Sequence, residues 1–113
     1  MNVTLAPCDG YVLASVTGSI DSTNADEFSK RVRSVVESQD SDLLLDLSKT
    51  NYVNSDALAE FLNLRRVAEK NSRRFVLISP SPLVREVLTK TRLDTVLHVV
   101  DDVKEAVAHV ESN

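Results

Sequence analysis

Apolar residues fall into short runs and helical stripes that follow one another with few interruptions. Val3-Thr4-Leu5 and Tyr11-Val12-Leu13-Ala14-Ser15-Val16 flank Cys8-Asp9-Gly10. Asp-Gly between two apolar stretches signals a tight turn, because these residues tolerate the positive φ it needs. A β-hairpin is therefore predicted, with Gly18 ending its second strand. Asp21-Ser22-Thr23-Asn24 then offers side-chain oxygens that can cap a helix, and Glu27, three residues after Asn24, completes a capping box. Ala25, Phe28, Val32, Val35 and Val36 recur at spacings of three and four, which predicts a helix with one apolar face running to about Ser38.

Leu43-Leu44-Leu45, between Asp42 and Asp46-Leu47, is a short continuous apolar run of the kind found in a strand covered on both faces. The polar segment Ser48 to Ser55 follows. Ala57, Leu58, Phe61, Leu62, Leu64 and Ala68 predict a second amphipathic helix ending near Asn71. Arg74-Phe75-Val76-Leu77-Ile78 is another buried-strand candidate. Pro80 and Pro82 suit a turn and the first turn of a third helix, Ser81 to Thr91, with Leu83, Val84, Val87 and Leu88 facing inward. Val96-Leu97-His98-Val99-Val100 reads as a last strand, and Val103, Ala106, Val107 and Val110 as a terminal helix. The predicted order is β-β-α-β-α-β-α-β-α: an α/β fold with a mixed sheet, an opening hairpin and about four helices. Over 113 residues with 42% apolar content this makes one domain, residues 1–113, with no repeat or linker.

Charge narrows the function. A formal net charge of -4 argues against general affinity for nucleic acid or an anionic membrane, since both require a concentrated basic surface. The basic pairs Arg65-Arg66 and Arg73-Arg74 fit the solvated end of a helix and its turn. Cys8, the one cysteine, has no internal disulfide partner and no nearby His to activate it. Neither a secretion signal nor a long apolar run is present, and a cytoplasmic location is expected.

Signatures of enzyme chemistry are scarce. Two glycines are too few for a Gly-rich phosphate loop or a dinucleotide fingerprint. His98 and His109 sit in different elements with no Cys or carboxylate at metal-ligand spacing, and each reads as a partly exposed surface histidine. Asp101-Asp102 and the pair Asp42 and Asp46 are explained by helix capping and strand-end solvation. No catalytic residue, metal site or cofactor is expected.

Asn51-Tyr52-Val53-Asn54-Ser55-Asp56-Ala57-Leu58 stands apart, because three small polar side chains lie between an apolar strand and an amphipathic helix. It marks a helix start. Asn54 or Ser55 can cap it, and Asp56 in the first turn is favoured by the helix dipole by roughly 0.3–1 kcal/mol. A helix start at this place also presents a charge-sensitive surface, where a phosphate gained or lost would change partner affinity.

These residues carry a resemblance. Thr17-Gly18-Ser19-Ile20-Asp21 before the first helix, Leu43-Leu44-Leu45-Asp46-Leu47-Ser48, and Tyr52-Val53-Asn54-Ser55-Asp56-Ala57-Leu58-Ala59 are similar to a STAS domain of the bacterial anti-sigma factor antagonists, over nearly the whole chain. In that family the helix-start motif usually reads Asp-Ser-Ser/Thr-Gly. By that resemblance Asn54 corresponds to its Asp, Ser55 to its first Ser, Asp56 to the Ser or Thr that a partner kinase phosphorylates, and Ala57 to its Gly. Asp21 corresponds to the acidic residue ending the family's first turn.

The resemblance implies a non-enzymatic partner-switching regulator. It would bind a serine-kinase/anti-sigma-type protein, be released by phosphorylation and be reset by a phosphatase, with an output such as transcription, stress response or biofilm formation. The implied partner-binding residues are Asp21, Ser22, Asn54, Ser55, Ala57 and Leu58. Asp56 has no hydroxyl to phosphorylate. Either the natural protein carries Asp there, or the residue is a Ser→Asp replacement that imitates phosphoserine; Ser55 is the other hydroxyl available. An alternative role is a non-enzymatic STAS subunit of a lipid ABC transporter, with the same helix start forming a permanent interface.

Overall fold

The structure is a computed structural model that describes residues 1–38 and 41–111. In chain order the elements are β1 Asn2–Pro7, β2 Tyr11–Ile20, α1 Ala25–Ser38, β3 Asp42–Asp46, β4 Thr50–Val53, α2 Ser55–Lys70, β5 Phe75–Ile78, α3 Pro82–Lys90, β6 His98–Val100 and α4 Val103–Glu111. A 3-10 turn over Leu93–Thr95 precedes β6. The sheet runs β1-β2-β3-β5-β6, with β4 paired separately to β2. Among the described residues only the opening hairpin is antiparallel; the other pairings are parallel, as crossover helices require.

The continuous apolar runs are explained by burial on both faces of the sheet. Leu43, Leu45, Phe75 and Leu77 join the large core beneath α1, α2 and α3. Their neighbours Leu44, Val76 and Ile78 point the other way and, with Val100, meet Ala106 of α4. On α1 the predicted stripe of Ala25, Phe28, Val32, Val35 and Val36 is buried throughout. Phe28 meets Phe61 of α2 edge-to-face, with ring centroids 5.9 Å apart, and this contact fixes the spacing between the two helices.

The structure corrects the sequence reading in six places. β4 occupies part of the polar segment Ser48 to Ser55, so the order gains a strand. Only Thr50 and Val53 of its four residues are buried, leaving no apolar run to detect. The Thr50 hydroxyl is satisfied in the core by donating to the Val16 carbonyl at 2.9 Å. Gly18 does not end β2. With φ +99° it forms a bulge where the β2–β4 register shifts, and the backbone of Met1 lies 3.4 Å from where a Cβ would stand.

The predicted capping box at Asn24 and Glu27 is replaced by another arrangement. The Asn24 side chain turns back, accepting from the Asp21 N–H and donating to the Ser19 carbonyl, both at 3.0 Å. Leu62 and Leu83 are 37% and 48% exposed rather than inward-facing, since each lies about 120–130° off the centre of its helix's buried stripe. The last strand begins at His98, because the backbone through Val96 is still turning: the Val96 and Leu97 N–H groups both donate to the Leu93 carbonyl.

Candidate functional site

The start of α2 is fixed by Asn54. Its extended backbone (φ -103°, ψ -174°) precedes the helix, its Oδ1 accepts from the Ala57 N–H at 3.0 Å, and its carbonyl accepts from the Leu58 N–H at 3.1 Å. Of the two capping candidates, Asn54 therefore takes the role and Ser55 becomes the first helical residue. The Asn54 N–H in turn donates to the Ile20 carbonyl at the end of β2. Parallel pairing of β4 with β2 thus carries the α2 start alongside the turn that opens α1.

Ser55 and Asp56 are exposed, whereas Ala57 and Leu58 are buried. The first two are presented to solvent, and the second two anchor the turn from beneath. Asp21 is half-buried and holds the neighbouring turn closed: its Oδ1 accepts from the Thr23 N–H at 2.9 Å and the Thr23 hydroxyl at 2.5 Å. These bonds, the hydroxyl first, hold the Asp21 carboxyl below its ordinary pKa. Ser22, next to it, is exposed.

Between the two helix starts lies an open groove of about 320 Å³ lined by Ser22, Ala25, Asp26, Asp56, Ala59 and Glu60. It brings together Ser22 and Asp56, which sequence reasoning had singled out. Ala25, Asp26, Ala59 and Glu60 had not been, although their helical spacing from Ser22 and Asp56 places them on the same faces. The rim carries three carboxylates, of which Asp26 pairs with Lys30 at 3.1 Å and Glu60 approaches Arg33 at 4.0 Å.

The acidic pairs Asp42 and Asp46, and Asp101 and Asp102, make local contacts within the fold. Asp42 Oδ1 accepts from the Arg74 N–H at 2.8 Å, and Asp46 Oδ1 from the Ser48 N–H at 2.9 Å. Asp102 Oδ1 accepts from the Glu105 N–H at 2.8 Å at the start of α4, and Asp101 lies 3.3 Å from Arg85. Among the described residues, no group of three or more His, Cys, Asp or Glu side chains is arranged to hold a metal ion, and no helix is long and apolar enough to cross a membrane.

The sequence profile of the STAS domain matches residues 5–106. BtrV of Bordetella bronchiseptica, named as an anti-sigma factor antagonist, is 28% identical over 87 residues, which are 77% of this chain and 75% of that protein. In three dimensions the chain is similar to a Thermotoga maritima protein named for the same role, at a TM-score of 0.88 and 24% identity, covering 96% of this chain and 94% of that one. It is also similar to the Bacillus cell-fate determinant SpoIIAA in its phosphorylated form, at a TM-score of 0.73 and 17% identity, covering 96% of this chain and 99% of that one.

Proposed function

Because the chain belongs to the STAS domain family, we propose that it is a non-enzymatic partner-switching regulator of the anti-sigma antagonist type. Its partner is a serine-kinase/anti-sigma-type protein that docks over the groove between the starts of α1 and α2, and an opposing phosphatase resets the switch. The observation that carries this reading is the placement of residue 56. Asp56 is exposed in the first turn of a helix start capped by Asn54, and it lines an open groove together with Ser22. A charge there meets a docking partner directly. The named role of BtrV and the phosphorylated state of SpoIIAA support the same reading.

Asp56 adds a third carboxylate to a rim that already carries Asp26 and Glu60. Docking would desolvate it without a hydroxyl's ability to donate a hydrogen bond, at a cost of about 1–3 kcal/mol for an unsatisfied buried polar group. With one negative charge against roughly 1.5–2 on phosphoserine, the Asp56 chain stands for the released state in weakened form. A cytoplasmic setting follows from a partner of this kind.

The test is binding of this chain and of Asp56→Ser to purified kinase-type anti-sigma proteins of the source organism, followed by incubation with ATP. The serine form is expected to bind about tenfold tighter, the equivalent of 1.4 kcal/mol, and to take up phosphate. Equal affinity for the two forms sinks the switch reading at this position. Co-purification with a transporter ATPase at fixed ratio would replace it with the structural-subunit role.

A further inference from the structure

α4 is held to the body of the protein by little apolar contact. Of its nine residues only Ala106 is fully buried, with Val107 and Val110 partly covered against Leu44, Val76, Ile78 and Val100 on the second face of the sheet. Elements with so few buried contacts open at lower free energy than the core. Its last turn is fastened by a different chemistry. The ring of His109 lies flat against that of His98 on β6, with centroids 3.9 Å apart and planes 17° from parallel. The two residues read in sequence as separate surface histidines thus form one pair.

Arg74, just before β5, reinforces the junction by donating from Nη1 to the His109 carbonyl, while its own N–H is held by Asp42 at the start of β3. The end of α4, β6, β5 and β3 are therefore tied together at one place. Charged groups near it come from α2, from β3 and from the segment before β5, and Tyr11 of β2 packs against the same apolar cluster. Arg65 and Glu69 of α2 pair with each other at 3.0 Å and, with Arg73 and Arg74, line a second groove that includes both histidines. Asp42 is the opposing carboxylate from β3. Glu105 and Glu111 on α4 itself are exposed and screened by water.

Face-to-face imidazoles are compatible while at least one is neutral. Two imidazolium rings at this separation, with Arg74 alongside, repel each other. Burial, then the charges of His98 and Arg74, keep the His109 pKa below its ordinary value, against an upward pull from Asp42. The folded state thus prefers His109 neutral, while the unfolded or undocked helix takes up a proton near the ordinary value of about 6.5. The stabilisation is present above that value and is lost as pH falls through the lowered one.

We propose that the His98–His109 stack is a proton-sensitive latch that holds α4 on the second face of the sheet, so that acidification releases α4 while the rest of the fold persists. The larger core, beneath α1, α2 and α3, contains neither histidine. Release would uncover Leu44, Val76, Ile78 and Val100.

The test is amide exchange followed by NMR, expressed as protection factors so that intrinsic pH effects cancel, at about pH 8 and about pH 5, on either side of the ordinary histidine value. Protection across Val103–Glu111 is expected to fall about tenfold or more at the lower pH while that of β3 and α2 holds. In His98→Gln the pH-dependent loss should shrink measurably but not vanish, because burial and Arg74 still disfavour the charged form of His109. Should His98→Gln loosen α4 at both pH values, His98→Phe keeps a flat ring in place without a second imidazole and is expected to reduce the pH dependence to the part that burial and Arg74 impose on His109. Unchanged α4 protection in the parent chain, an undiminished pH effect in His98→Phe, or an equal loss in β3 and α2 would overturn the proposal.

Discussion

At the scale of single residues, Asn54 and Ser55 show how much one side chain can decide. Both are acceptable caps by composition, and the backbone assigns the role to Asn54 because its Oδ1 reaches the Ala57 N–H. Asn54→Ala is expected to lower stability by about 0.5–2 kcal/mol in urea denaturation, whereas Ser55→Ala should change it by less than roughly 0.5 kcal/mol. Reversed magnitudes would show that the cap lies at Ser55. The Asp21–Thr23 pair makes a second prediction. Removing the hydroxyl in Thr23→Val should raise the Asp21 pKa toward the ordinary carboxylate value, read from the side-chain carbon shift in an NMR titration. In the parent chain this contact favours the folded state above the ordinary carboxylate value and is lost as pH falls through the lowered one. Sequence alone identified the residues of these two turns. It could not assign their bonds, since Asn24, Asn54, Ser22 and Ser55 all carry suitable oxygens and the choice depends on where β2 and β4 deliver the chain.

At the scale of elements, legibility follows the number of apolar residues each element buries. α1 and β3 were plain in the sequence, because their stripe and their run are covered completely. β4 was not, because a four-residue strand with exposed Asn51 and Tyr52 at its centre has neither alternation nor a run. α2 lies between these cases: its stripe was visible, but exposed Leu62 was assigned to it in place of buried Val67. The Phe28–Phe61 contact joins the two helices that form the groove, so Phe61→Ala should cost about 3–5 kcal/mol of stability. It should also weaken partner binding, even though Phe61 is fully buried and no partner can touch it. A thermal melt and a binding isotherm on the same sample separate the two effects. Unchanged affinity in a sample that is still folded would show that the groove does not depend on the spacing of these helices.

At the scale of the whole molecule, the class of fold was readable because doubly buried strands and amphipathic helices alternate. The candidate site was legible in part, through the helix-start motif around Asp56. The share contributed by α1 was hidden, because Asp26 and Glu60 become neighbours only when the two helices pack side by side. The histidine pair was hidden for the same reason, being eleven residues apart in sequence and in contact only across the α4–β6 junction. What unites these distant parts is β2, which pairs with β1, β3 and β4. Two of its three partners are synthesised after it. On a ribosome adding roughly 5–20 residues per second, the hairpin emerges about one to five seconds before the segment from Asp21 to the end of β3 is complete. Through that interval β2 offers nascent neighbours an unpaired apolar edge. Slower translation of that segment should therefore lower soluble yield without altering the stability of the finished protein.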